Sequence, residues 1–160
     1  MENPIKMKTS YRNSASYGKR QEYKAIAKLL ELDYDVYQTL VDDMGIDSII
    51  RINNKRYLDI QIKARSKNCI LKNRGYFPRL SIREKSNNYF FIFYSEHIDT
   101  YWVIPAKDIL ILATQKGTNV NLNKSGKNAG MYSVRVAGSK CNPFPKFDKY
   151  KDDKGFKNLK

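Results

Sequence analysis

Four polar residues sit where the local pattern makes them costly unless they are used: Glu22, Asp47, Gln61 and Lys63. Glu22 has Ala25, Ile26 and Leu29 at i+3, i+4 and i+7, on the stripe of a helix that should face the core. A carboxylate in that stripe must be paired, hydrogen-bonded or metal-bound. A surface pair with Lys19 or Lys28 at the edge of the stripe also accounts for it. Asp59, Gln61 and Lys63 alternate with Leu58, Ile60 and Ile62, so in a strand they share one face. If Asn53-Asn54-Lys55 is a three-residue turn, Asp47 lies opposite Gln61 and diagonal to Lys63. A two-residue turn shifts that register by one.

An acid, an amide and an ammonium on one face suit phosphodiester hydrolysis. Mg²⁺ is a hard cation that takes oxygen ligands, usually one or two carboxylates with waters and phosphate oxygens. Asp47 and Glu22 offer the carboxylates, Gln61 an amide oxygen and Ile62 its backbone carbonyl, with Mn²⁺ as a substitute ion. Such a metal lowers the pKa of a bound water and stabilises charge building on phosphorus. Lys63 then orients the water or favours its hydroxide form, and stabilises the pentacovalent phosphate.

The elements that must position these groups follow from periodicity. The pattern predicts a helix over Tyr17–Asp33, a strand at Val36–Leu40, and a hairpin of Asp47–Ile52 and Arg56–Ala64. The run Tyr89–Tyr94 reads as a strand buried on both faces, followed by a strand at Tyr101–Ile104. Pro105 then opens a helix over Ala106–Leu112. Residues 116–130 read as a loop, Met131–Val136 as an outlying strand, and Phe147–Leu159 as a short helix or a loosely held tail. The chain thus divides into a flexible basic arm (1–16), one domain (17–140) and a C-terminal tail or short helix (141–160). Its order of elements implies a mixed α/β or α+β domain with one central sheet.

Charge narrows the partner. Thirty Lys and Arg against sixteen Asp and Glu give +14, a self-repulsion that a polyanion relieves. Nucleic acid fits, because each phosphate contacted releases counterions. No apolar run approaches the ~20 residues of a membrane span. The polar N-terminus lacks an apolar secretory region, which points to the cytoplasm. Cys69 and Cys141 are read as free thiols.

Glu22, then Gly45-Ile46-Asp47, then Ile60-Gln61-Ile62-Lys63 resembles the PD-(D/E)XK nuclease superfamily, in the branch where Gln replaces the acid of the (D/E)XK motif. With the Tyr101-Trp102-Val103-Ile104-Pro105 strand-to-helix join, the chain is similar to group I intron-associated homing endonucleases over roughly Gly18 to Leu112. The pattern departs in having Ile46 rather than Pro before Asp47, and Gln61 in place of an acid, which removes one charge that a second metal would need. The resemblance implies a restriction-endonuclease-like α/β core, a central mixed sheet flanked by helices. It also implies Mg²⁺-dependent cutting of double-stranded DNA by a homo-oligomer, a dimer or tetramer, since cutting both strands needs two sites. Holliday junction resolvases and restriction or repair endonucleases share the core and stand as alternatives. A non-catalytic basic nucleic-acid-binding protein is the alternative that charge alone supports.

Further basic residues are candidates for DNA contact. Lys19 and Arg20 neighbour Glu22, and Arg65 and Lys67 follow Lys63. Lys72, Arg74, Arg79 and Arg83 flank Tyr76 and Phe77 in a basic, aromatic-bearing loop or ribbon, and Lys124 and Lys127 lie in the later loop. Asp42 and Asp43 read as turn acids. His97 is the only histidine, which excludes histidine-based nuclease chemistry and catalytic triads. Lys124-Ser125-Gly126-Lys127 lacks the spacing of a phosphate loop.

Overall fold

The structure, a computed structural model, describes residues 11–41, 45–82 and 87–160, with the side chains of 11–14 left aside. Arg83, Asp42, Asp43 and the first ten residues of the expected arm lie outside the described residues. Helix α1 spans Tyr11–Glu31, so it starts six residues before the periodicity predicts. Its C-terminus closes as a Schellman motif: Asp33 takes a left-handed φ of 61°, which Asp tolerates. The Tyr34 N–H reaches back to the Leu29 carbonyl and the Asp33 N–H to that of Leu30.

The strands are β1 (Asp35–Gln38), β2 (Ser48–Asn53), β3 (Arg56–Arg65), β4 (Tyr76–Leu80), β5 (Tyr89–Ser95) and β6 (Thr100–Pro105). Helix α2 (Ala106–Ala113), β7 (Val120–Leu122), β8 (Tyr132–Arg135) and a short α3 (Asp152–Phe156) follow. A five-stranded sheet runs β1-β2-β3-β5-β6, with β3 and β5 parallel and the other pairs antiparallel. A second, three-stranded antiparallel sheet runs β4-β8-β7. Its strands β4 and β7 fall where the sequence reads as loop or ribbon.

The expected register survives a different turn. The reversal is two residues, Asn54-Lys55, tightened by the Lys55 N–H on Asn53 Oδ1 at 2.9 Å. A bulge between Arg51 and Asn53 then restores the pairing Ser48↔Ile60.

Each face of the central sheet has its own core. Leu58, Ile60, Ile62, Phe90, Ile92 and Val103 pack with Ala25 and Leu29 of α1 and with Phe156 and Leu159. Phe91, Phe93, Trp102 and Ile104 pack on the other face with Phe77, Ile109, Val134, Phe147 and Tyr150. Every residue of β5 and β6 is buried, as the unbroken apolar run implies. The C-terminal segment is no loose tail. It wraps the β6 edge, pairs Lys151 with Trp102, and its Asp152 Oδ1 accepts the Tyr101 N–H at 2.9 Å. A strand edge that would otherwise show unpaired groups is thereby covered.

Candidate active site

The site forms where β2 stops short of β3. Asp47 lies one residue before β2, and its N–H bonds the Ile60 carbonyl at 2.8 Å rather than reaching Gln61. Its side chain then continues the ladder: Asp47 Oδ2 accepts the Ile62 N–H at 2.6 Å. Without that oxygen, a backbone donor next to the core would lose its acceptor, at a cost of roughly 1–3 kcal/mol. Thr39, just past β1, fixes the same segment by donating its hydroxyl to the Ile46 carbonyl at 2.8 Å. The N–H and C=O of one strand residue point the same way. The Ile62 carbonyl therefore faces the side where Asp47 stands, while Asp59 and Arg65 spend their backbone groups toward β5 and its flanks.

Gln61 and Lys63 point to the opposite face from α1. Gln61 is 8% exposed, and the Tyr89 hydroxyl donates to its Oε1 at 3.1 Å. Gly45 takes φ +73°, and a Cβ built there would stand 2.5 Å from Gln61 Nε2. The amide is therefore held from both ends, by a phenol and by a glycine whose missing side chain leaves it room. Lys63 is half-buried and lines a cleft of about 240 Å³ with Ala64, Arg65, Phe77, Pro78 and Arg79.

Glu22 does not meet Gln61 and Lys63 across a shared face, because α1 packs on the other side of the sheet. It pairs with Lys19 at 2.5 Å, the partner that the helix spacing allows. That hydrogen bond above all holds the Lys19 ammonium above its ordinary value, with the Asp47 charge adding to it. Lys19 thus stands in the field of both carboxylates, at the end of the sheet. On the α1 side Asp47 lies in the field of Lys19, and its carboxylate sits on Ile62, whose neighbours in β3 are Gln61 and Lys63.

The remaining basic residues divide by employment. Arg65 Nε donates to the Tyr76 carbonyl at 2.6 Å, and its guanidinium lies 5.8 Å from the Phe77 ring centroid. Burial pulls it below its ordinary value. Arg74 donates to the Cys69 carbonyl and meets both ring nitrogens of His97, so His97 serves Arg74 and none of the four site residues. The Lys67 N–H bonds Glu96, leaving its ammonium on an exposed residue. Arg20, Lys72 and Arg79 are exposed, as are Lys124 and Lys127 on the loop joining β7 and β8. Cys69 and Cys141 are free thiols.

Among the described residues no cluster of three or more His, Cys, Asp and Glu is gathered. The donor set is instead oxygen of mixed kinds: the Asp47 carboxylate, the Ile62 carbonyl, the Gln61 amide and, beyond Lys19, Glu22. Such a set fits a hard divalent cation and suits neither zinc nor copper. Sequence reasoning missed Tyr89 and Thr39, and treated Gly45 only as part of a motif. The one signal for Tyr89 is a phenol opening an otherwise apolar strand, since a buried tyrosine hydroxyl needs a partner.

No protein-family model matches the chain, and no curated protein sequence does. Among solved structures it is similar to a bacterial homing endonuclease, I-Ssp6803I, at 19% identity and a TM-score of 0.50, covering 88% of this chain and 86% of that one. The described helices include none long and apolar enough to cross a membrane. The chain thus has the expected α/β architecture, a central mixed sheet flanked by helices, in a fold similar to that of a homing endonuclease.

Proposed function

We propose that the protein is a Mg²⁺-dependent endonuclease acting on double-stranded DNA, of the PD-(D/E)XK type with Gln in place of the second acid, and of the homing or intron-associated kind. The observation that carries this reading is the Asp47 carboxylate fixed on the Ile62 N–H, between Gln61 and Lys63 on β3. The similarity of fold to a bacterial homing endonuclease supports it, as does the net charge of +14.

Asp47, the Ile62 carbonyl and Gln61 would hold the metal, with Glu22 released from Lys19 to join them. When bound, the metal supplies a more acidic water and charge stabilisation at the phosphate. Asp47 is already oriented, because its hydrogen bond to Ile62 fixes the carboxylate plane before substrate arrives. Lys63 places a positive charge where the phosphate gains negative charge, and it orients the attacking water. Tyr89 and Gly45 hold the Gln61 amide still. Two copies of the chain, within a dimer or a tetramer, would bring one such site to each strand.

The test is to incubate the protein with a large mixed duplex DNA and with a four-way junction, in Mg²⁺ or in EDTA, and to map the ends. Rare, discrete, Mg²⁺-dependent ends on the duplex are expected. Preferred cutting of the junction would reassign the substrate to branched DNA. No metal-dependent ends on either DNA would overturn the enzymatic reading.

A further inference from the structure

Beside the site lies a cleft whose charged lining residues are all cations. Its lining residues Lys63, Ala64, Arg65, Phe77, Pro78 and Arg79 include three bases and no acid. Arg79 is close enough for its charge to disfavour that of Arg65, and neither is ion-paired among the described residues. Arg65 is also substantially withdrawn from water, with its Nε on the Tyr76 carbonyl and its plane near Phe77. A desolvated cation beside a second cation is costly unless an anion completes the group.

The backbone is bent to put Arg79 there. Strand β4 pairs Phe77 with Val134 and Leu80 with Tyr132, so Pro78 and Arg79 together oppose the single residue Ser133. Such a bulge re-aims a side chain, and Pro78 suits it because proline cannot donate to a ladder. Arg79 pays in conformation, with a φ of 59° that non-glycine residues rarely adopt. Outliers of this kind gather at ligand clamps.

We propose that Lys63, Arg65 and Arg79 form a second phosphate subsite, which holds a backbone phosphate neighbouring the one presented to Asp47 and Gln61. Gln61 and Arg65 are four residues apart on one face, about 13 Å along the strand, more than a single phosphate group bridges. Lys63 stands between the two positions and serves both. Arg65 and Arg79 bring guanidiniums, which match phosphate oxygens in pairs. Anchoring the neighbouring phosphate sets the strand's register on the site, a positioning role distinct from the chemistry.

That the anion belongs to DNA rests on the function proposed above, whereas the anion site itself does not. Two measurements separate them. The first titrates inorganic phosphate into metal-free protein and follows backbone amide shifts by NMR, for wild type, Arg79→Gly and Arg79→Lys. Glycine removes the charge while accepting the φ of Arg79, so the fold is retained. Saturable shifts at Lys63–Arg65 and Phe77–Leu80, lost in Arg79→Gly and kept in Arg79→Lys, are expected. Shifts spread over all lysine-bearing surfaces, or undiminished in Arg79→Gly, would overturn the site. The second measures duplex DNA binding in Ca²⁺ against salt. Arg79→Gly should lower the slope of log affinity on log salt by about 0.9, the value of one phosphate contact. An unchanged slope would overturn the DNA assignment, even while the wild-type protein cuts DNA. A wild type that binds phosphate in the cleft but never cuts would leave the subsite standing and remove the nuclease reading.

Discussion

Gly45→Ala is the most informative single substitution, because two separable costs meet at one atom. The backbone there has φ +73°, a left-handed conformation that costs an alanine roughly 1–2 kcal/mol. The new methyl would also stand 2.5 Å from Gln61 Nε2, where ordinary contact begins near 3.4 Å. The amide must retreat by roughly 1 Å, and the bond from Tyr89 goes with it, a further loss of about 1 kcal/mol. Gly126→Ala is the control, since Gly126 has φ +78° and nothing within 4 Å of a built Cβ. Thermal unfolding should show Gly45→Ala lower than wild type by roughly 2–3 kcal/mol, some 5–10 °C for a chain of this size. Gly126→Ala should lose only the backbone cost. Single-turnover DNA cleavage should fall about 100-fold in Gly45→Ala, as a 1 Å misplacement in a site can cost that much, and remain at wild-type rate in Gly126→Ala. Equal behaviour of the two variants in both assays would refute the idea that Gly45 exists to seat Gln61.

Other substitutions probe the rest of the account. Gln61→Glu keeps an acceptor for the Tyr89 hydroxyl and adds a charge at the proposed metal site; it should retain Mg²⁺-dependent cutting, and complete inactivity would give the amide nitrogen a specific task. Phe156→Ala empties a buried position between α1 and β6 and should destabilise by about 3–5 kcal/mol in urea unfolding; a loss under 1 kcal/mol would mean that the C-terminal segment is dispensable. The Tyr94 hydroxyl first, and Lys24 second, hold the Asp99 carboxyl below its ordinary value against slight burial. Its contribution is therefore present above the unfolded pKa, near ~3.9, and is lost as pH falls through the lower folded value. Asp99→Asn should flatten the acid limb of stability below about pH 4, and urea midpoints at pH 3 and pH 5 that fall in parallel with wild type would contradict it.

Much of the site was legible because it is local. The alternation of Gln61 and Lys63 with Leu58, Ile60 and Ile62 settles their face, and Asn53-Asn54-Lys55 marks the reversal. The register of β2 on β3 held through a compensation that the sequence does not display, a two-residue turn offset by a bulge, although Asp47 bonds Ile60 and not Gln61. Glu22 was open between core and surface, and its Lys19 pair was one of two partners that helical spacing offers. What sequence could not show depends on distant chain. Strand β4 reads as a basic loop because its strand character comes from β8, more than fifty residues on. The bond from Tyr89 to Gln61 arises only when β5 lies parallel to β3. The wrap of 145–159 around β6 similarly needs both cores to exist first. Local periodicity finds faces; it does not find what comes to lie on them.

Asp47→Asn tests the central claim most directly, with cleavage, DNA binding and unfolding measured on one preparation. The amide oxygen still accepts from the Ile62 N–H that Asp47 Oδ2 accepts at 2.6 Å, so fold and Ca²⁺-supported DNA binding should remain close to wild type. Only the charge is removed, and with it the carboxylate proposed to hold the metal. Mg²⁺-dependent cutting should disappear while binding and stability persist. Cutting at the wild-type rate by a folded, DNA-binding Asp47→Asn protein would contradict it.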